Sequence, residues 1–197
     1  MSVTQITQPA VEPVSYEQAR DHLNVEHDDD YNVIALCIKA ARQLFETATK
    51  QILVQRTFDY SFDRFYDKII LPRSPVISVT SITYVTLTAS PNTQTLASSV
   101  YALETGETPS YIYLGYNQSW PTHRGFKNDI TVRFVAGYAD DIDSPRDYAQ
   151  NVPDDIKVAI LMIVGELYKN REATTDLVNF RNTLIDSLIE PHVLYRL

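Results

Sequence analysis

The chain has 197 residues, 44% of them hydrophobic and 21% charged; that is enough for one domain with a real core and too ordinary a mixture for wholesale disorder. Its formal charge is −8, from 17 basic and 25 acidic residues, so the basic footprint of a sequence-reading nucleic-acid binder is missing. A single cysteine, Cys37, excludes an internal disulfide and a thiol-rich metal site.

Taken in chain order, residues 1–14 are polar, carry Pro9 and Pro13 and show no periodicity, which predicts a flexible or partner-ordered arm. Met1 to Gln8 has neither the basic nor the apolar stretch of a secretion signal, and the longest aliphatic run, Val158 to Val164, is far too short for a membrane span, so a soluble, unexported protein is expected. Ser15-Tyr16-Glu17-Gln18 forms a capping box that opens a short helix over about Tyr16 to Leu23, with Val14 placed to staple across it.

After Asp28-Asp29-Asp30, the recurrence of Val33 or Ile34, Cys37, Ala41, Leu44 or Phe45, and Ala48 predicts an amphipathic helix of about five turns. Among Ile34, Ile38 and Ala41, Cys37 reads as a buried structural thiol. The three aspartates lack the spacing and glycine of a calcium loop and read instead as favouring the helix start through its dipole.

From Gln51 to about Tyr138 the period becomes two. Phe58, Tyr60 and Phe62 alternate with Thr57, Asp59 and Ser61; Ile82, Tyr84 and Thr86 with Ser81, Thr83 and Val85; and Ile130, Val132 and Phe134 with Thr131, Arg133 and Val135. Turn-rich pieces at Pro72 to Pro75, Ala89 to Thr93 and Thr105 to Ser110 separate the runs, so an antiparallel sheet or small barrel of hairpins is expected. Eight of the 13 tyrosines lie here; core and subunit contact explains them better than stacking on bases or sugars, because aromatic side chains suit pleated, half-buried surfaces. Trp120 is placed to anchor the loop before the last strand.

Pro153, followed by Asp154 and Asp155, is a strong helix start. Ile156, Ala159, Ile160, Ile163, Val164 and Leu167 make its core stripe, while Val158, Leu161 and Met162 leave the helix apolar nearly all round, to be covered by the early helices, the sheet or neighbouring subunits. The last portion carries Val178, Phe180, Leu184, Ile185 and Leu188 before Pro191 ends the helix, then Val193, Leu194 and Tyr195. These eight residues are the candidate partner interface: a short amphipathic helix with an apolar terminal peptide, on a polar linker, looks built for docking.

Chemistry is harder to find. The five glycines are scattered, so no phosphate loop exists. His22, His27, His123 and His192 fall outside paired metal-ligand spacing and read as solvated surface residues. There is no Gly-x-Ser-x-Gly elbow, and scattered carboxylates carry no signal by themselves. No catalytic, cofactor-binding or metal residue is assigned.

Six pieces, in order and spacing, carry a resemblance: residues 15–23, Ile38-Lys39-Ala40-Ala41-Arg42, 70–79, Val135-Ala136-Gly137-Tyr138, 152–160 and 167–172. Together they resemble the head-tail connector (adaptor) proteins of long-tailed bacteriophages. That resemblance implies an α+β fold: a small helical bundle with an antiparallel β-rich insert between the second and third main helices, plus an extended C-terminal tail helix. The implied division is an arm (1–14), a connector domain (15–172, with helices in 15–50 and 153–170 around an insert at 51–138) and a docking segment (173–197).

The resemblance further implies a structural virion protein of the neck, made in the host cytoplasm, with no catalysis and no cofactor. Such proteins form a ring, typically twelvefold, with the portal above, a stopper or tail-completion protein below, and DNA passing through without sequence-specific binding. Leu188-Ile189-Glu190-Pro191-His192 resembles the start of the family's terminal peptide, but here the chain continues to Leu197. A stopper-like ring protein remains the alternative, followed by a carbohydrate- or host-binding β module and, third, an enzyme.

Overall fold

Eight strands and four α-helices occur among the residues that the computed structural model describes, 1–138, 151–170 and 183–194. The strands are Ser2–Gln5 (β1), Arg56–Phe62 (β2), Lys68–Ile70 (β3), Val76–Val85 (β4), Thr93–Thr95 (β5), Tyr101–Glu104 (β6), Tyr111–Leu114 (β7) and Ile130–Ala136 (β8). The helices are Tyr16–Leu23 (α1), Tyr31–Thr49 (α2), Asp154–Lys169 (α3) and Thr183–Ile189 (α4), the last followed by a 3-10 turn at Glu190–His192. The fold is mixed α+β. Where the length suggests one domain, the chain divides into two compact units: residues 1–9 with 55–138, and residues 10–54 with the described residues after 138.

The β unit is built on alternation. Phe58, Tyr60 and Phe62 of β2 face the buried side, and so do Ile130, Val132 and Phe134 of β8. The antiparallel register sets Phe58 opposite Phe134 and Phe62 opposite Ile130, so each apolar side chain meets another across the pair. The Phe58 and Phe134 rings lie 5.7 Å apart. The full order is β1-β2-β8-β4-β5, with a separate three-stranded sheet β3-β7-β6; two antiparallel sheets thus stand where one sheet or a small barrel is expected. Two register shifts in the β4–β8 pairing, between Val76 and Ser78 and between Val79 and Ser81, interrupt the alternation of β4. They leave Val76 and Ile82 as its buried residues, with Tyr84 half-buried.

The N-terminal segment corrects the expectation of a flexible arm. Ser2–Gln5 pairs along the outer edge of β2, and Thr57 both accepts from the Ile6 amide (2.9 Å) and donates its own amide to Thr7 Oγ1 (2.9 Å). Since all four β1 residues are exposed, the strand is held by backbone hydrogen bonds and has no apolar pattern to read. Further on, Val14 is buried and Glu12 forms an ion pair within the other unit.

In the helical unit, α1 begins with the expected reciprocal cap: the Gln18 amide donates to Ser15 Oγ at 3.2 Å and the Ser15 amide to Gln18 Oε1 at 2.9 Å. Helix α2 packs against α1 and α3, and α3 packs against α4. The core is Ala19, Ile34, Ile38, Ala41 and Phe45 with Ile156, Ala159, Ile160, Ile163 and Val164. Of the α2 stripe read from spacing, Ile34, Ala41 and Phe45 are buried, whereas Cys37 is half-buried and Leu44 and Ala48 are exposed. The cause is a buried polar pair. Arg42 donates to Glu12 (2.6 Å) and Glu46 (3.0 Å), and Glu46 also accepts from the Leu53 amide at 3.1 Å, so two charged residues occupy helix surface that spacing assigns to solvent.

Candidate functional site

Several titratable residues are engaged in structural contacts. No group of three or more His, Cys, Asp or Glu among the described residues could hold a metal ion. Asp30 accepts from the Tyr168 hydroxyl at 2.5 Å, tying the start of α2 to the end of α3. Its side chain makes no helix-capping hydrogen bond, so its part at the helix start goes beyond the dipole role that the sequence suggests. His123 lies edge-on to Phe65 and contacts the Asp63 carbonyl. Trp120 stacks on Phe65 at 4.7 Å with planes 6° apart and donates its indole N–H to the Tyr66 carbonyl at 3.1 Å. That contact anchors its loop and commits one indole face within the β unit.

Three of the eight candidate interface residues, Val178, Phe180 and Tyr195, lie outside the described residues. The other five fall on one segment: Leu184 is 55% exposed, while Ile185, Leu188, Val193 and Leu194 are half-buried. The sequence suggested a segment with little to bury inside its own subunit, yet its described part is fastened to the helical unit. Helix α4 rests on α3, the Leu194 amide donates to the Thr49 carbonyl at 2.9 Å, and Gln51 Nε2 donates to the His192 carbonyl at 3.0 Å.

His192 completes the fastening. Its Nε2 lies 2.7 Å from Asp155 Oδ2 at the start of α3, and its ring sits 6.1 Å from that of Phe45; the side chain is only 17% exposed, a correction to the solvated histidine that spacing suggests. The hydrogen bond from His192 holds the Asp155 carboxyl below its ordinary range against the opposing effect of burial, with help from the Ile156 amide. Thr49, Gln51, Asp155 and His192 carry no joint sequence signal, being separated by about a hundred residues or more in two groups that only the tertiary fold joins.

What this arrangement presents is apolar surface held in place by polar contacts. Solved structures say what such a chain is like.

The fold is that of chains in a particle neck. A chain in the neck of an empty gene transfer agent particle, computed with C6 symmetry, superposes with a TM-score of 0.78 at 18% identity, over 100% of this chain and 97% of that one. A chain in the native particle's neck, computed with C12 symmetry, gives 0.74 at 20% over the same shares, and one in the virion of the native particle gives 0.76 at 20%. No family model matches the sequence, and no curated protein matches it. The likeness spans residues of both units and is not confined to one common motif. No helix among the described residues is long and apolar enough to cross a membrane.

Proposed function

We propose that the chain is a structural subunit of a virion neck: a ring adaptor beneath the portal that joins head to tail and continues the DNA channel. The observation that carries this reading is the end-to-end structural likeness to chains from particle necks treated with sixfold and twelvefold symmetry. The ordered sequence resemblance to head-tail connectors, reached from different features, supports the same role. A net charge of −8 suits a wall that phosphates pass without sticking.

In this reading the helical unit is the connector bundle, the β unit is its insert, and the ring is typically twelvefold. The C-terminal segment docks on the portal through Leu184, Ile185, Leu188, Val193 and Leu194, with Val178, Phe180 and Tyr195 contributing beside them. The His192–Asp155 contact then fixes the angle at which that segment leaves the subunit. The stopper or tail-completion role is second, and the particle-neck likeness suits it as well. A sugar-binding module is less favoured, because Trp120 already spends one ring face on Phe65.

Disrupting the gene in the genome that encodes it tests the reading. Filled heads and complete tails that fail to join are expected, with joining restored by the full chain and not by a chain lacking residues 176–197. Normal joined particles without the gene would overturn the neck role; full rescue by the truncated chain would overturn the docking segment alone.

A further inference from the structure

Helix α2 is apolar over more of its circumference than the helical unit covers. Ile34, Ile38, Ala41 and Phe45 are buried. On the exposed side runs a second row, Leu36, Ala40, Leu44 and Ala48, with a side chain every fourth residue, so successive members touch along one ridge that drifts about 120° around the helix over its length. Leu36 is 67% and Leu44 53% exposed; Ala40 is half-buried and Ala48 exposed. Single exposed leucines need no explanation, whereas a continuous row does. The charge pattern is equally distinct. Lys39 is the one charged side chain that α2 shows to solvent, because its other two, Arg42 and Glu46, are buried against each other.

We propose that Leu36, Ala40, Leu44 and Ala48 form the apolar centre of the contact with a neighbouring copy of this chain. Copies that carry a charge of −8 repel one another at a distance, and their approach costs least where charge is absent; depletion of charge also marks the centre of protein interfaces. The inference rests on the neck reading, in which copies stand side by side around an axis, as the C6 and C12 symmetry of the similar necks suggests. At ~1.5 Å per residue the row is about 18 Å long. A standard patch of ~800 Å² per partner is roughly 28 Å across, so the row supplies its middle and polar neighbours its rim. A closed ring needs a different receiving surface on the next copy; Val158 on α3, 47% exposed, offers apolar surface of the right kind.

Sedimentation of the full chain over a wide concentration range tests this, using wild type, Leu36→Asp with Leu44→Asp, and Leu87→Asp. Leu87, in the β unit, is 61% exposed and controls for loss of any exposed leucine. All three should melt alike, since the altered positions face water. Wild type and L87D are expected to associate as concentration rises, and the α2 double variant to need at least a tenfold higher concentration. The same mass profile for double variant and wild type, whether both associate or both stay single, overturns the proposal; so does an equal loss in L87D. If the chain is nevertheless found in particle necks, the neck reading survives that failure. Absence from necks overturns the neck reading whatever the sedimentation shows.

Discussion

Arg42 and Asp129 are each 3% exposed, and a charge so placed depends on its partners. Burial works against the Arg42 charge, but Glu12 and Glu46 outweigh it and raise its pKa. Removing the pairing side should therefore cost more than removing surface charge: Arg42→Ala is expected to lower stability by about 3–5 kcal/mol in denaturant unfolding, since two carboxylates lose their cation. Asp129 accepts from Arg124 (2.6 Å) and from the Phe126 amide (2.7 Å). Burial pushes its carboxyl up, and these two donors together hold it below the ordinary value. A carboxyl lowered by folding stabilises the protein above its unfolded pKa, and that contribution disappears as pH falls through the folded value. Asp129→Asn should cost about 1–3 kcal/mol at neutral pH and flatten the loss of wild-type stability below about pH 4. A variant with the wild-type acid slope would contradict the assignment. The Glu12–Arg42 pair was not legible in the sequence, because the two stand thirty residues apart and only the fold joins them.

At the scale of elements, legibility followed whether a signal was local. The α1 start needed only Ser15 and Gln18, and β2 and β8 needed only their own alternation, so these elements lie where the sequence placed them. Strand β1 was hidden because its four residues are exposed and its order comes from the edge of β2. The α2 stripe holds at Ile34, Ala41 and Phe45, but Arg42 and Glu46 turn inward and leave Leu44, the alternative to Phe45, outside. The C-terminal segment was read from its apolar side chains, while its fastening depends on polar contacts from Thr49, Gln51 and Asp155. Those contacts carry a prediction. His192→Ala removes one partly exposed pair, worth no more than about 1 kcal/mol, so amide exchange over 183–194 should quicken up to about fivefold while the α2 core stays unchanged. Lowering pH through the depressed range of Asp155 should loosen the same segment in wild type, since protonation ends its charge-assisted hydrogen bond. Unchanged exchange in both experiments would show that the segment is held by its packing on α3 and its Thr49 and Gln51 contacts, without help from the His192 side chain.

For the whole molecule, the decisive features are the two-unit build and the surfaces left over once each core is satisfied. The helical unit buries a continuous core and still shows Leu36, Leu44, Val158 and Leu184, a pattern suited to a subunit that is completed by neighbours. The sequence made the α+β order visible; it could not reveal that the N-terminal strand joins the β part at its edge, which returns Ser2–Gln5 to a sheet otherwise drawn from residues far along the chain. The neck role is tested most directly by imaging purified particles that carry a gold-labelled copy of the chain. A neck subunit would show label confined to the junction of head and tail, in several copies arranged around the particle axis. Label elsewhere on the particle, or particles that carry none, would contradict that role.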